Sequence, residues 1–381
     1  MKPMRTLVTG ATGYVGSRLV SALLAAGHQV TVASRNPERL GDFGWIDDVT
    51  PVLFDAADPE SVSSALTVAG PVDVIYYLVH GIGQPGFRDA DNAAAANVAQ
   101  AAKAAGVARI VYLGGFVPDA DQLSEHLAGR AEVAEALTID GGPDVVWLGA
   151  AIIIGAGSTS FELLRYVGDR FLLIPMPPWA QNPLDPISIS DVLYYLIAAA
   201  DAERVPPGQY DIRGPERTTY GDLLLTYARL SGKWRQGVPA PDVDMWLVSR
   251  VAALFVPVPS GLTTDLVESL DYPMTASSHG LSELIPDPPG GLVGNEDAIR
   301  LSLSGRKQLP VDRLADPHHL ADTDPDWAGG DVLRLRKLVA MVTPPQTHAA
   351  LGLLGAVPGP VAGWWRAGLD TLIGLAPRGA S

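Results

Sequence analysis

The stretch VTGATGYVG at residues 8–16 places Gly10, Gly13 and Gly16 between two segments of different periodicity. Residues 5–9 form a short apolar run typical of a buried strand, whereas residues 14–26 repeat apolar side chains at helical spacing. A strand that turns directly into a helix needs a tight loop, and glycine lets a ligand approach the loop backbone closely. Unpaired N–H groups at a helix start attract a pyrophosphate. The stretch therefore predicts a nucleotide-binding turn.

The alternation of strand and helix continues from this turn to about residue 150. Further apolar runs typical of strands occupy residues 28–33, 51–55, 73–79, 109–113 and 144–148. Six strands with helices between them predict an α/β fold, a Rossmann-type doubly wound parallel sheet with a smaller C-terminal substrate lobe. In such sheets the ligand lies at the carboxyl ends of the strands. The predicted organisation is a Rossmann domain at 1–155, a lobe at 156–310 interleaved with the Rossmann sheet, and an extension at 311–381 packing on the body.

The composition narrows the class of protein. Hydrophobic residues make up 47% of the chain, which predicts a globular protein. The formal net charge of −15 argues against nucleic-acid binding, because phosphates are repelled unless a basic stripe compensates, and the sequence has none. The absence of cysteine excludes disulfides and thiolate catalysis. His318 and His319 are adjacent without an evident third ligand, so we predict no metal site.

The two ends of the chain bear on its location. Residues 1–4 run directly into the first strand and leave no room for a signal peptide, so we predict a cytoplasmic protein. The longest uncharged apolar run, at 349–365, approaches the ~17 residues that a membrane span needs. Its glycines and prolines would leave backbone groups unsatisfied in lipid, so we predict no transmembrane span. We leave open whether this C-terminal segment packs on the body or contacts a membrane surface or a partner protein.

The end of the second strand bears on the choice of dinucleotide. An acidic residue there holds the ribose hydroxyls of NAD, whereas an arginine accommodates the 2′-phosphate of NADP. This strand ends in Ser34 and Arg35, so we predict NADP(H) as the cofactor, with NAD(H) as the alternative. Asp55, after the third strand, is placed to accept a hydrogen bond from the adenine amino group. The predicted cofactor-binding residues are Gly10, Thr12, Gly13, Tyr14, Val15, Gly16, Ser34, Arg35, Asp55, Val79, His80, Gly114, Gly115 and Arg130.

Three motifs carry a resemblance to a known family. TGATGYVG at 9–16, YYLVH at 76–80 and YLGG at 112–115 resemble motifs of the atypical, extended short-chain dehydrogenase/reductases. The similarity covers about residues 4–275 and indicates the NAD(P)-binding group that includes NmrA-like and complex I subunit-like proteins. The resemblance implies a Rossmann fold that binds NADP(H) and a C-terminal lobe that recognises a substrate.

The chain departs from this family at the positions of the catalytic residues. Typical members carry a tyrosine and a lysine four residues apart on the helix after strand five, with a serine at the end of that strand. Here the helix carries His126 and Arg130 at this spacing, and the strand ends in Gly114 and Gly115. A guanidinium holds a ribose and a charge without releasing a proton at neutral pH, whereas an imidazole exchanges one readily. We predict His126 and Arg130 as catalytic residues, and leave open that both only brace a loop.

Aromatic and polar residues near the carboxyl ends of the predicted strands suggest how a substrate is held. The predicted substrate residues are Tyr77, Phe161, Trp179 and Asp185, with core packing as the alternative for the aromatic ones. Tyr76 and Tyr77 lie on opposite faces of one strand, so at most one of them meets a ligand. These residues favour an apolar small-molecule substrate.

Three functions remain open from the sequence. The first is an NADP(H)-dependent oxidoreductase, lacking the usual Ser-Tyr-Lys set, that acts on an apolar carbonyl, enone or quinone-like molecule. The second is a non-catalytic NADP(H)-binding sensor or assembly protein, which the missing catalytic set favours. The third is an isomerase or cyclase that keeps the nucleotide as a structural element. The C-terminal lobe favours the enzyme, so the oxidoreductase is the leading prediction.

Overall fold

The computed structural model describes residues 2–81, 86–117, 125–242, 256–259, 267, 269–276, 280–305 and 307–342. The strands are β1 (Arg5–Thr9), β2 (Gln29–Ser34), β3 (Thr50–Leu53), β4 (Val74–Tyr77), β5 (Arg109–Gly115), β6 (Asp144–Ala150), β7 (Ile153–Ile154), β8 (Leu173–Met176), β9 (Pro183–Leu184), β10 (Ile187–Ser188), β11 (Gly208–Asp211), β12 (Thr218–Thr219) and β13 (Gln236–Pro239). The helices are α1 (Tyr14–Ala25), α2 (Pro59–Ala69), α3 (Phe87–Ala104), α4 (Glu125–Leu137), α5 (Thr159–Arg170), α6 (Ile189–Ala198), α7 (Tyr220–Leu230), α8 (Asn295–Ser304) and α9 (Gly330–Val342).

A parallel sheet of seven strands forms the centre of the molecule, in the order β11-β6-β5-β4-β1-β2-β3. The chain starts at β1 in the middle, builds outward through β2 and β3, and then crosses back to β4 on the other side. This reversal of strand order leaves a crevice at the carboxyl ends of β1 and β4. The predicted Rossmann-type doubly wound sheet is confirmed.

Alternate residues of the central strands pack on opposite faces of the sheet, because side chains of a strand alternate in direction. Val8 and Tyr76 belong to the core on the side of α1 and α6. Leu7 and Tyr77 belong to the core on the side of α2 and α3. Both tyrosines are fully buried. The sheet is therefore covered on both faces, as its continuous apolar strands require.

The lobe that follows β6 is built on the same sheet. Its strand β11 pairs with β6 in parallel, with Gly208 opposite Val146, and completes the edge of the central sheet. The rest of the lobe packs α5 against α7 and α8 around Phe161, Leu223 and Ile299. Short strand pairs join β7 to β10, β9 to β12 and β8 to β13. Strand β11 of this segment is thus part of the central sheet.

The segment after residue 311 lies against α1 and α6. His318 is buried, with Nε2 2.8 Å from Ser188 Oγ and Nδ1 2.6 Å from Asp316 Oδ1. Both ring nitrogens of His318 therefore have protein partners. In the described ranges, no group of three histidine, aspartate or glutamate side chains converges in a way that could hold a metal ion. Residues 343–381, including the apolar run at 349–365, lie outside the described residues.

A helix that crosses a bilayer needs about 20 predominantly apolar residues. Among the parts of the chain given above, no helix is both long and apolar enough to do so.

Candidate functional site

A cleft of about 1010 Å³ opens at the carboxyl ends of β1, β4, β5 and β6. The glycine turn after β1 forms one end, and residues from α5, β8 and α7 form the other. Most of the wall is apolar, and its described charged residues are Arg39, Arg130 and Asp324, with His80 as a titratable neighbour. The cleft therefore joins a nucleotide-type turn to an apolar chamber.

The glycine turn is closed so tightly that side chains do not fit. Gly10 has φ +68°, and a Cβ there would lie 2.5 Å from the carbonyl oxygen of Leu78. A Cβ on Gly16 would lie 2.2 Å from the carbonyl oxygen of Gly10. Helix α1 starts after Gly13 without a side-chain cap, so its first N–H groups are left for a ligand. This cradle fits the pyrophosphate of a dinucleotide.

The end of β2 carries two arginines. Arg35 is exposed and makes no hydrogen bond or ion pair with any described residue, while Arg39, in the following 3₁₀ turn, lines the cleft. The Ser34 hydroxyl is occupied locally, since it donates to the carbonyl oxygen of Asn36 at 3.1 Å. The first acidic residue after β2 is Glu38. A carboxylate directly at the strand end, as NAD sites use, is therefore missing.

Four predicted cofactor residues are not on the cleft wall: Ser34 and Arg35 at the end of β2, Asp55 and Val79. The carboxylate of Asp55 accepts a hydrogen bond from the backbone N–H of Ala57 at 3.1 Å and so stabilises the turn before α2. Val79 packs partly buried against the core on the α2 and α3 side. The prediction that Asp55 and Val79 face the cofactor finds no support in this geometry, because local turn and core contacts engage both. The predicted residues on the wall are Gly10, Thr12, Gly13, Tyr14, Val15, Gly16, His80, Gly114, Gly115 and Arg130.

Arg130 and His80 flank the cleft where β4 and β5 end. Arg130 has a buried Nε without a hydrogen-bond partner among the described residues, and its side chain lies beside Gly115. His80 lines the cleft and is exposed there. Desolvation by the surrounding protein, together with the positive charge of Arg130, lowers the pKa of His80. Arg130 is thus a cation with donor capacity left for a ligand.

Glycine at the end of β5 is explained by its neighbours. A Cβ on Gly114 would lie 2.5 Å from Nε1 of Trp147 and 3.0 Å from the ring of Tyr112. The Arg130 side chain lies beside the next residue, Gly115. The backbone carbonyl of Arg130 accepts a hydrogen bond from the Tyr112 hydroxyl at 3.3 Å. The serine of typical family members is therefore replaced by backbone, not by another hydroxyl.

The second predicted catalytic residue, His126, cannot be placed in the same way. His126 lies within α4, but its side chain is outside the described residues. Further along α4, Val133 and Leu137, seven and eleven residues after His126, are buried in the core. The role of His126 in proton transfer stays a prediction.

Of the four predicted substrate residues, Trp179 alone lines the cleft. Tyr77 and Phe161 are core residues: Tyr77 packs on Tyr112 at 6.0 Å between ring centroids, and Phe161 packs edge-on against Tyr227 at 5.9 Å. Their placement corrects the prediction for both, because the aromatic pattern does not distinguish a core ring from a cleft ring. The indole Nε1 of Trp179 is buried without a partner among the described residues.

Asp185 is held inside the lobe by two partners. Its carboxylate pairs with the Arg217 guanidinium through two hydrogen bonds of 2.7 and 2.8 Å, and it accepts a third from the backbone N–H of Ala276. Burial opposes its charge, but these hydrogen bonds outweigh the desolvation and lower the pKa of Asp185. Asp185 therefore stabilises the lobe and is not on the cleft wall, in contrast to the prediction.

Most of the apolar chamber was not predicted from the sequence. The described residues that form it come from α5, β8 and α7: Leu163, Leu164, Val167, Ile174, Met176, Leu223 and Leu224. The apolar residues of α5 were a usable signal. A helix that faces both the core and the cleft needs an apolar stripe on each of these two faces. Asp324 and Trp327 also line the cleft from the C-terminal segment, and no local signal indicates that.

Comparison with known proteins supports a dinucleotide site at this cleft. Residues 10–138 match a family model described as NAD(P)H-binding. The chain is 24% identical over 240 residues to NADH dehydrogenase (ubiquinone) 1 alpha subcomplex subunit 9 of Arabidopsis thaliana mitochondria, covering 61% of this chain and 60% of that protein. It thus spans about three fifths of this relative's length.

Solved structures share the fold. An NADPH-dependent quinone oxidoreductase from Escherichia coli, complexed with NADPH, superposes with a TM-score of 0.62 at 19% identity, over 77% of this chain and 98% of that one. A triphenylmethane reductase from Citrobacter, complexed with NADP(H), gives 0.60 at 21%, again over 77% and 98%.

The glycine cradle, the strand order and these similarities together define the class: an NAD(P)H-binding protein with an oxidoreductase-like fold. The match over residues 10–138 and the similarity to the complex I subunit support the predicted resemblance to atypical, short-chain dehydrogenase/reductase-like NAD(P)-binding proteins. Its cofactor is a nicotinamide dinucleotide, and the glycine cradle at the start of α1 is the part of the cleft that would hold the pyrophosphate.

Proposed function

We propose that this protein is an NADPH-dependent oxidoreductase that reduces an apolar, conjugated acceptor such as a quinone or an enone. The observation that carries the proposal is one continuous cleft, with the glycine turn at one end, Arg130 in the middle and an apolar chamber at the other end. An NADPH-dependent quinone oxidoreductase and a triphenylmethane reductase share this fold.

The choice of a conjugated acceptor follows from the proton donors along the cleft. Burial raises the pKa of the Tyr14 and Tyr220 hydroxyls, the pKa of His80 is lowered, and a guanidinium does not release a proton at pH 7. An isolated carbonyl would form a strongly basic alkoxide that needs a nearby acid. Quinones and enones form delocalised anions that water can protonate later. The described wall therefore suits acceptors of this second kind.

Each part of the wall has a role in this reaction. When bound, the dinucleotide supplies a hydride, which carries two electrons to the acceptor. The glycine turn fixes the pyrophosphate, and the unpaired donor capacity of Arg130 stabilises the negative charge that develops on the acceptor oxygen. The apolar chamber orients the acceptor and excludes water from the hydride path. A proton from water then completes the reduced product.

The preference for NADPH rests on Arg35 and Arg39. Arg35 is exposed and has no partner among the described residues, and no carboxylate stands at residues 34–37 to bind ribose hydroxyls. A guanidinium binds a 2′-phosphate through charge-assisted hydrogen bonds of about 1.5–3 kcal/mol each. Titration of the purified chain should therefore give tighter binding of NADPH than of NADH.

An Arg35→Glu variant tests this preference. We expect it to weaken NADPH binding by roughly 10- to 100-fold and to change NADH binding little. Arg204→Glu is the matched control, because Arg204 is an exposed arginine before β11, at the opposite end of the sheet. Equal affinity for both dinucleotides in the unmodified chain would contradict the NADPH assignment.

The reaction itself is tested by following NADPH consumption with a panel of quinones, enones and simple aldehydes. Consumption that is faster with quinones and enones than with aldehydes supports the proposal, and consumption with none of them contradicts it. A His126→Ala variant belongs in the same assay. Unchanged turnover in that variant would remove His126 from proton transfer.

One observation favours a second candidate function. The end of β5 provides backbone instead of a hydroxyl, and α4 lacks the tyrosine and lysine of typical family members. A protein that binds the dinucleotide without turning it over, as a sensor or an assembly protein, needs none of these groups. Tight NADPH binding without consumption across the panel would favour this second function.

A further inference from the structure

Helix α5 presents one continuous stripe to the lobe half of the cleft. The side chains at the cleft wall are Ser160, Leu163, Leu164 and Val167, followed by Phe171 directly after the helix. Their spacing is that of one face of an α-helix. With a rise of 1.5 Å per residue, the stripe from Ser160 to Phe171 runs for roughly 16 Å. We name this surface, formed by the five residues, the α5 groove.

The chamber lining that comes from β8 and α7 is equally apolar. It includes Ile174 and Met176 of β8 and Leu223 and Leu224 of α7. Of the described charged residues of the cleft, Arg39 follows β2 and Arg130 lies beside β5, whereas Asp324 lies near Gly157, just before α5, and is paired with Arg18 of α1. None of the five residues that form the α5 groove is charged, so these described residues do not select a polar occupant.

The far end of the groove is followed in the sequence by exposed apolar residues. Directly after Phe171, Leu172 and Leu173 are 51% and 52% exposed, and Trp234 is 67% exposed. Backbone pairing brings the two segments together, since β8 pairs with β13 and the N–H of Gln236 donates to the carbonyl oxygen of Leu172. We name Leu172, Leu173 and Trp234 the apolar rim. None of the three lines the cleft itself, so the rim is an exposed apolar surface that adjoins the end of the groove.

We propose that the substrate is amphiphilic, with its reducible ring at Arg130 and a hydrocarbon tail along the α5 groove that emerges at the apolar rim. This inference rests on the proposed function for the ring, but the tail site is argued from the groove alone. A compact ring would fill only the part near Arg130 and would leave roughly 16 Å of apolar wall in water. An apolar tail of that length covers the wall, and each buried methylene then adds to affinity.

A homologous series tests the proposal. One 1,4-quinone ring is prepared with unbranched tails from methyl to dodecyl, at concentrations at which none of them aggregates. We measure kcat/KM with NADPH, and we measure binding to the protein without NADPH by calorimetry. We expect both affinity and kcat/KM to rise with tail length throughout the series, by up to about fourfold per methylene.

A Val167→Trp variant locates the tail. Val167 lies halfway along the α5 groove, so a tryptophan there should narrow it and reduce the advantage of long tails over the ring alone by at least tenfold. Val68→Trp is the control, because Val68 is an exposed valine on α2, on the Rossmann side. Thermal unfolding of both variants checks that each is folded.

The outcomes separate the groove from the proposed reaction. If no quinone is consumed but binding still rises with tail length and falls in Val167→Trp, the reaction is wrong and the tail site stands. Equal binding and turnover of the ring alone and of long-tailed quinones would overturn the tail site while leaving the reaction intact. A tail dependence that is the same in Val167→Trp and Val68→Trp would also overturn it.

Discussion

The guanidinium of Arg18 donates to both carboxylate oxygens of Asp324, at 2.9 and 2.7 Å, across 306 residues of sequence. Both side chains are buried, with 1% and 3% of their surface exposed. Arg18 also donates to the backbone carbonyls of Pro317 and His319, and its guanidinium stacks 4.0 Å from the ring centre of Tyr14. The helix that starts at the glycine turn is therefore tied to the C-terminal segment at the cleft wall.

Loss of this pair should destabilise the fold strongly. Arg18→Met leaves the Asp324 carboxylate buried without its cation, so we expect the free energy of unfolding in urea to fall by about 3–5 kcal/mol. Arg229→Met is the control, because its partner Glu296 and Arg229 itself are about half exposed, and there we expect a loss below about 1 kcal/mol. An Arg18→Met/Asp324→Leu double variant should regain part of the loss. Similar losses in the two single variants would contradict the prediction.

Substitution of the turn glycine should remove cofactor binding. Gly10→Ala places a Cβ 2.5 Å from the Leu78 carbonyl oxygen and at φ +68°, so the turn must move. Gly27→Ala is the matched control, since Gly27 has φ +82° and a Cβ added there would meet no atom within 4 Å. Both variants bear a left-handed backbone cost of about 1–2 kcal/mol. We expect only Gly10→Ala to lose NADPH binding in a calorimetric titration; equal binding by both would sink the cradle assignment.

Removal of the Arg130 charge should change both the histidine and the reaction. Desolvation and, to a smaller extent, the Arg130 charge lower the pKa of His80; Arg130→Gln removes the second contribution, so the pKa of His80 should rise, as read from its imidazole proton signals in an NMR titration. Loss of a donor to a developing oxyanion should lower kcat by roughly 10²–10³-fold. Arg88→Gln is the control, because Arg88 pairs with Glu132 on the α3 and α4 surface. An unchanged pKa of His80 in Arg130→Gln would show that the two residues are not electrostatically coupled.

A buried carboxylate in α6 should make stability depend on pH. Burial raises the pKa of Asp191 to about 6; the backbone N–H of Val293 and the nearby His318 act against that rise, and Asp287 adds to it. Because the folded pKa lies above the unfolded one, the contribution of Asp191 is fully present below about pH 4 and is lost as the pH rises through 6. Asp191→Asn should therefore gain stability relative to the unmodified chain between pH 4 and 7, by up to about 3 kcal/mol.

The measurement is urea unfolding of both proteins at several pH values in this range. Asp222→Asn is the control, since Asp222 is an exposed acid in the first turn of α7. A stability difference between Asp191→Asn and the unmodified chain that does not change with pH would contradict the assigned titration.

The fold was predictable because its signals are local. The glycine turn sits between β1 and α1, and the apolar runs mark the central strands, so their parallel order follows from the alternation of strand and helix. The same holds for the cofactor half of the cleft: Gly10, Gly114 and Arg130 lie at strand ends or on the adjoining helix, where topology gathers them. These residues could be found from spacing alone.

The substrate half of the cleft was less predictable, because the type of a residue does not reveal which other residue it contacts. Asp185 and Phe161 have the chemistry of ligand contacts, yet Arg217 and Tyr227 engage them inside the lobe. Tyr77 lies on the strand predicted for it but faces the α2 and α3 core. Asp324 reaches the cleft through a pairing with Arg18 that has no local trace in the sequence. Periodicity therefore left open whether each of these residues faces the core or the cleft, and partners far away in the sequence decide it.

Strand β11 has a consequence for how the molecule is made. The edge of the central sheet beside β6 is occupied by residues 208–211, which the ribosome delivers only after β6, α5 and α6 have been synthesised. Until then the growing sheet carries an open strand edge, a surface that readily pairs with other chains. A fragment ending at residue 155 would keep that edge permanently. The sheet that carries the glycine turn is therefore completed only by a strand that follows much later in the sequence.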